Sequence, residues 1–496
     1  MKGSVHYETR GQIALLSIDN PPVNPLSSGV RQGLADGVTK ALADDDIKAV
    51  VITGMHRAFI AGADISEFGA AATQGVSLGE AMRQMETSTK PIIAAINGTA
   101  FGGGLEVALC CDYRIASPTA PLGLPEVKLG LLPGAGGTQR LPRLIGAEAA
   151  IQAIVSGAPI MAPAALKLGI IDRVAEGNIV DAGIAYAEEI VAAGGATRKI
   201  RDLEDVISKD RGNTAVFEKA RAQLHKTHRN QFAPEQIVKC VEAAVNAKTF
   251  DEGMAAEGKF FAECMKDPQR EALIHIFFAE RAANKIPGLG KDMPLIEINK
   301  GSVIGAGTMG GGIVMCFANA GIPVRMYDND AANLQRGLKV IEGNYARTVS
   351  KGRLSQADMD KRMALITPTE NFDDLGDGDI VIEAVYENLD LKKEIFGKLD
   401  KVMKPGAILA TNTSGLDVDA IAAMTTRPDH VCGMHFFSPA NVMRLLEVVR
   451  GKDSSPAVLG TAMALGKRLG KVSVVAGNCP GFIGNRMLGG YTRQAS

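Results

Sequence analysis

The chain has no tryptophan and few aromatics of any kind, 16 Phe and 7 Tyr in 496 residues, so its cores are expected to be aliphatic. It has no paired CxxC motif. Its seven cysteines (Cys110, Cys111, Cys240, Cys264, Cys316, Cys432 and Cys479) are odd in number and irregularly spaced. That excludes a disulfide framework and a zinc site, and leaves reduced, small apolar residues. Neither sign of charge dominates, with 54 Lys plus Arg against 55 Asp plus Glu. Nucleic acid is therefore not indicated as the main partner, and no acidic tail is present. The N-terminus, "MKGSVHYETRGQIALLSI", lacks the apolar core of a signal peptide. The most apolar stretch, Pro91 to Cys111, is interrupted by Asn97, Glu106 and several glycines, whereas a membrane span needs about 20 mostly apolar residues.

What is present begins with length, which exceeds a single ordinary core and implies two or more domains. Glycine is abundant at 56 residues, as suits many tight turns. Over residues 1–194, short apolar runs ("QIALLSID", "IKAVVITG", "PIIAAING") alternate with helical stretches such as "SSGVRQGLADGVTKALADD". This is the pattern of an α/β domain. Over residues 195–284 glycine thins and helical periodicity takes over: Ile237, Val241 and Val245 form one stripe, while Leu273 with Phe277 and Ile274 with Phe278 suggest another. The segment reads as a helical connector, with His275 given no role. "KIPGLGKDMP" reads as a linker within residues 285–295, and a second α/β domain is expected over residues 296–478.

That second domain contains GxGxxG as Gly305, Gly307 and Gly310 in "VIGAGTMGGGIVMCF", after an apolar strand and at the start of an apolar helix. The pattern alone is weak, but its context is that of a dinucleotide-binding turn. The first glycine makes the turn, the second admits a pyrophosphate to the backbone and the third lets helix and strand pack. Thr308 and Met309 fall between them. Asp328 ends the next strand, "VRMYD", about 20 residues on, where a carboxylate meets a ribose. An acid there favours NAD over NADP, although Arg325 nearby leaves the choice open. Further along, His435 in "GMHFFSP" and Glu447 in "RLLEVV" suit a base whose tautomer is fixed by a carboxylate. Spacing alone accounts equally well for two unrelated buried polar residues.

In the first domain, Glu106 follows three glycines in "AFGGGLEVAL", and Glu126 lies in "GLPEVKLGLLPGAGGTQRL". Two carboxylates in one pocket can manage the protons of a water adding to a double bond. Backbone N–H groups at a glycine-rich corner can receive charge on a thioester oxygen. Taken by itself, Glu106 reads more simply as a helix-N-terminal acid satisfied by the helix dipole.

Longer stretches carry two resemblances. Glu387 and Lys392 in "YENLDLKK", Ser414 in "NTSG", His435, Glu447 and Asn485 in "CPGFIGNR" resemble, in order and separation, the L-3-hydroxyacyl-CoA dehydrogenases. The resemblance implies His435 as base and Glu447 as its partner. It puts Ser414 and Asn485 at the substrate oxygen, and Glu387 and Lys392 beside the cofactor and coenzyme A. "DNPPVNPLSSG", "AFIAGADISEF", "INGTAFGGGLEVALCCDYRIAS" and "LPEVKLGLLPGAGGTQRLPRLIG" resemble the crotonase, or enoyl-CoA hydratase, family. This implies the crotonase fold, oxyanion N–H groups at Ala63 and Gly103, and Glu106 with Glu126 as the acid–base pair.

Fused in this order, the halves resemble the type-1 multifunctional enzymes of fatty-acid β-oxidation. The resemblance implies acyl-CoA substrates, hydration of a 2-enoyl-CoA, oxidation of the product with NAD, isomerisation of 3-enoyl-CoA, no metal, and a monomer. A bacterial cytoplasm and a peroxisome both remain open. Residues 479–496 resemble the start of a longer helical region. One expectation is therefore a fragment or a short form, with a complete hydratase site and weak oxidation. The alternatives are a hydratase or isomerase alone, and a scaffold that binds NAD and acyl-CoA without turnover.

Overall fold

The computed structural model describes residues 2–64, 75–290 and 293–495. The end of the "AFIAGADISEF" stretch (Ile65 to Phe68), Lys291 and Asp292 of the expected linker, and Ser496 lie outside the described residues. The chain divides into two compact units, Met1–Phe277 and Phe278–Ser496.

Among its described residues the first unit carries ten strands: β1 (Ser4–Arg10), β2 (Ile13–Asp19), β3 (Ala49–Gly54), β4 (Ala58–Ile60), β5 (Ile92–Ile96), β6 (Thr99–Phe101), β7 (Tyr113–Ala116), β8 (Pro121–Gly123), β9 (Ile160–Met161) and β10 (Arg173–Val174). The larger sheet runs β1-β2-β3-β5-β7-β10, parallel except for β1 against β2. Every residue of β3 and β5 is buried, as expected of parallel strands covered on both faces. The smaller sheet runs β4-β6-β8-β9. Its strand β6 leads into the helix Gly103–Cys110, so this sheet aims the glycine corner.

Helices Thr214–Thr227, Ala233–Asn246 and Phe250–Lys266 complete the same unit. Phe217, Ile237, Val241, Val245 and Cys264 share one core with Leu16, Val50 and Ile96. The segment that periodicity presents as a connector thus buries its main stripe in the core of the first unit, against helices Gly137–Ile145 and Ala147–Ser156. Helix Pro268–Ala283 has no fully buried residue, and the boundary between units falls inside it.

The second unit is built on one sheet: β11 (Gly301–Ile304), β12 (Val324–Tyr327), β13 (Ile366–Thr369), β14 (Ile380–Glu383), β15 (Ile408–Thr411), β16 (Val431–Phe436), β17 (Leu445–Arg450) and β18 (Val472–Gly477). The order is β13-β12-β11-β14-β15-β16-β17-β18, with only β16 and β17 antiparallel. The chain turns from one side of the sheet to the other between β11 and β14, the switch point where open α/β sheets bind ligands.

Replacing Phe217, 2% exposed, by alanine is expected to destabilise the first unit by about 3–5 kcal/mol. Urea unfolding followed by circular dichroism would show an early transition for that unit; an unchanged curve would mean that the helix does not belong to its core.

Candidate active sites

The three glycines before Glu106 have separate reasons. Gly102 has φ +55°, and a Cβ there would lie 2.8 Å from Glu126 Oε1. Gly104 packs so closely that a Cβ would lie 2.1 Å from the Ile60 carbonyl oxygen. At Gly103 a Cβ would press on Leu26 and approach the Ala63 nitrogen to 3.9 Å. Gly103 is the first residue of its helix, so its N–H has no acceptor within the helix. The corner therefore gathers Ala63, Gly103 and Glu126 in one place.

Glu106 is 2% exposed. Its Oε1 accepts the amides of Ala135 and Gly137, each at 2.8 Å. Burial pushes the carboxyl upward, and those amides pull it part of the way back. Glu126 opens a 3₁₀ turn, Glu126–Leu129. Its carboxyl is pushed further, first by burial and then by the charge of Glu106. Its Oε2 is buried with no hydrogen-bond partner among the described residues. The two acids share an electrostatic environment, yet two main-chain amides favour the Glu106 anion, against only its own amide for Glu126.

Behind Glu106 lies a layer that the sequence reading missed. Arg140 donates from Nε to Glu86 and from Nη1 to the Ala135 carbonyl, both at 2.8 Å. Glu257 of helix Phe250–Lys266 accepts the Gly136 amide at 2.7 Å. The sequence signal was an acid four residues after Gly253, on the face of a helix that packs inward.

In the second unit, Gly305 has φ +104°, and a Cβ on Gly310 would lie 1.8 Å from the Gly305 carbonyl oxygen. A Cβ on Gly307, the N-cap of helix Thr308–Asn319, would meet nothing within 4 Å. Turn, open approach and tight packing thus fall on the first, second and third glycines, and they fit the phosphates of a dinucleotide. Thr308 and Met309 open that helix. Asp328 accepts the Ala306 amide at 2.9 Å and so braces the turn. Arg325 spends its charge on Asp377, at 3.0 and 3.2 Å, which removes the ambiguity it introduced and leaves NAD as the fitting cofactor.

His435 and Glu447 stand directly opposite each other across β16 and β17. The imidazole Nδ1 is 2.7 Å from Glu447 Oε2. Glu447 Oε1 accepts the amides of Ile483 and Gly484 at 3.0 and 2.7 Å. Burial opposes ionisation of Glu447, but His435 and these amides outweigh it and hold the carboxyl below its ordinary value. A carboxylate on Nδ1 leaves Nε2 as the nitrogen able to take a proton.

Ser414 gives its hydroxyl to Glu387 at 3.0 Å and its amide at 2.7 Å, and Asn485 Nδ2 donates to the Ser414 carbonyl at 3.2 Å. Lys392 is 1% exposed. It pairs with Glu383 at 2.7 Å and with Glu387 at 3.4 Å, so it stands behind Glu387 and lines no open face. Glu383 is a further acid that the sequence reading missed; it also accepts the Val385 amide and the Thr411 hydroxyl, both at 2.8 Å. Among the described residues, no cluster fit for a metal ion occurs, and no helix is long and apolar enough to cross a membrane. All seven cysteines are free, six of them buried.

Residues 8–251 match the family described as enoyl-CoA hydratase/isomerase, and residues 300–479 match the 3-hydroxyacyl-CoA dehydrogenase NAD-binding domain. The chain is 44% identical to the peroxisomal bifunctional enzyme of Danio rerio, over 99% of this chain and 68% of that one. It is 43% identical to the Homo sapiens enzyme of the same name, over 97% and 67%. To the fatty acid oxidation complex subunit alpha of Psychrobacter arcticus it is 35% identical, over 95% and 67%.

Gly310→Ala is expected to abolish NAD binding, read by titration calorimetry, because the new methyl would meet the Gly305 carbonyl. A second expectation concerns pH. Glu106, Glu126 and Glu257 all hold their protons more tightly folded than unfolded, Glu257 up to about 8. Stability of the first unit should then fall as pH rises from the unfolded carboxylate range through about 8. Glu126→Gln should flatten that slope in melting temperatures taken between about pH 5 and pH 9, and an identical slope would contradict the burial argument.

Proposed function

The chain belongs to the family of multifunctional β-oxidation enzymes that join an enoyl-CoA hydratase to an NAD-dependent 3-hydroxyacyl-CoA dehydrogenase, and we propose that Glu106 with Glu126 carries the first reaction and His435 with Glu447 the second. The protein is a bifunctional enzyme of fatty-acid breakdown. The observation that carries the residue roles is the unequal main-chain support of the two glutamates.

Glu106, held closer to its anion than Glu126 by two amides, takes a proton from water as the oxygen adds to C3 of the 2-enoyl thioester. Glu126, favoured as the acid, gives its proton to C2. The Ala63 and Gly103 amides receive the negative charge that gathers on the thioester oxygen, where pre-aimed donors are most effective. The same pair can move a proton between C2 and C4 of a 3-enoyl-CoA, which adds an isomerase activity.

In the second unit, Nε2 of His435 takes the hydroxyl proton of the 3-hydroxyacyl-CoA, and Glu447 steadies the imidazolium that results. Bound NAD supplies the acceptor for the hydride lost from C3. Ser414 and Asn485, tied to each other, orient the substrate oxygen, while Glu387, backed by Lys392, braces Ser414. Each acid–base pair comes from a single chain, so a monomer suffices. The likeness to peroxisomal and bacterial relatives makes a peroxisome or a bacterial cytoplasm the expected setting.

Crotonyl-CoA supplied with and without NAD separates the two centres, through loss of the conjugated double bond and formation of NADH. Glu106→Gln and Glu126→Gln should each slow hydration by about 10²–10⁴-fold. His435→Gln should suppress NADH formation from 3-hydroxybutyryl-CoA while hydration stays at the wild-type rate. Full hydration by Glu106→Gln would remove the assignment.

A further inference from the structure

Glu257 is a buried acid that neither reaction uses. It is 1% exposed and comes from helix Phe250–Lys266, far along the chain from both catalytic glutamates. One turn earlier, a Cβ on Gly253 would lie 2.2 Å from Gln139 Oε1, so this helix meets helix Gly137–Ile145 at close range. That contact delivers Glu257 to the loop that holds Glu106.

The hydrogen bonds there alternate. Glu106 Oε1 takes the amides of Ala135 and Gly137. Glu257 Oε1 takes that of Gly136 at 2.7 Å, and its Oε2 takes that of Thr138 at 3.2 Å as well as the Thr138 hydroxyl. Four successive N–H groups thus point in turn to two carboxylates on opposite sides of one stretch of backbone. Backbone planes on a shared loop do not rotate independently: freeing Gly136 and Thr138 changes where Ala135 and Gly137 point.

We propose that Glu257 is a positioning residue for hydration, clamping the Gly136 and Thr138 amides so that the alternate amides of the same loop hold Glu106 in its working orientation. This rests on the reading of Glu106 and Glu126 as the acid–base pair. The clamp also has an electrostatic side. The groups facing Glu257 are Glu106 on helix Gly103–Cys110, Glu126 on its 3₁₀ turn, Arg140 on helix Gly137–Ile145, and Cys240 on helix Ala233–Asn246. Burial and then the Glu106 charge push the Glu257 carboxyl up to about 8, against the bonds from Thr138 and Gly136 and the charge of Arg140. Burial likewise keeps the Cys240 thiol neutral. Above that pH, an anionic Glu257 makes it harder for Glu126 to lose the proton it must deliver.

The test is hydration of crotonyl-CoA by the full chain across pH, with NADH formation from 3-hydroxybutyryl-CoA by the second unit as a measure of intact protein. In Glu257→Gln, kcat should fall about 10–100-fold with KM within about twofold, because binding is untouched while the base is mis-aimed. The alkaline limb of the pH profile should move to lower pH, because a negative charge near Glu126 is gone. Glu257→Asp keeps the charge and shortens the reach, so it should keep the wild-type limb with a reduced kcat. Should Glu257→Gln fail to fold, Thr138→Val removes a donor to the Glu257 anion and should move the limb the same way. Wild-type kcat and pH profile in Glu257→Gln, or a lowered melting temperature with unchanged turnover per folded molecule, would overturn the proposal. Glu106→Gln distinguishes the two readings: if it still hydrates, the acid–base assignment fails, whereas if only Glu257→Gln is silent, the clamp alone fails.

Discussion

Burying a carboxylate is costly unless something replaces its water, and in both units of this protein that replacement is main-chain amide. Glu106 rests on Ala135 and Gly137 and Glu447 on Ile483 and Gly484, while Glu383 adds the Lys392 ammonium and the Thr411 hydroxyl to the Val385 amide. A hydrogen bond to a charged group contributes about 1.5–3 kcal/mol, so two amides offset much of the burial cost of one anion. Two amides a few residues apart reach one oxygen only where the backbone turns tightly, and glycine lies in or beside several of these turns. The abundance of glycine and the placement of the acids are one requirement seen twice.

Against that pattern Glu126 stands out. It is half-buried with its Oε2 sealed off, but Gly102 presents it with a bare Cα instead of a pair of amides. A carboxyl left that way is pushed toward its protonated form. The division of labour between the two glutamates follows from where the amides are, with no difference in side-chain chemistry between them. Arg140 does not undo it, because its guanidinium is engaged by Glu86 and the Ala135 carbonyl.

Much of this was legible in the sequence, and unevenly so. The dinucleotide turn could be read because its three glycines act through the backbone within a few residues of one another, and the fold places them accordingly. The pairing of His435 with Glu447 could not be read from spacing, only from resemblance, since it depends on the register of β16 on β17. Arg325 left the cofactor open until its partner, Asp377, was located at the end of the 3₁₀ turn before β14. Glu257 was not legible: it lies in a helix whose periodicity suggested a separate connector, and its partners lie more than a hundred positions away. Periodicity says which face of a helix is buried, not what it is buried against. Lys392 shows the opposite error, because a lysine placed beside a cofactor by analogy is sealed behind Glu387.

The two centres differ in how they are built. The dehydrogenase pair sits on adjacent antiparallel strands, so one ladder of hydrogen bonds sets its geometry and only the Ile483–Gly484 turn comes from elsewhere. The hydratase pair has no such ladder. Glu106 comes from the helix after β6, Glu126 from a 3₁₀ turn, their amides from the loop at 135–138, and the brace on that loop from a helix more than a hundred residues further on. Each segment is positioned by packing, and packing errors add along the chain of contacts. Glycines remove the slack, Gly104 by letting its backbone meet that of Ile60, and Gly102, Gly137 and Gly253 by admitting the side chains of Glu126, Glu106 and Gln139. An active site assembled from separate segments is therefore held to working precision by close contact, and the helices after residue 213 belong to the hydratase as fully as its strands do.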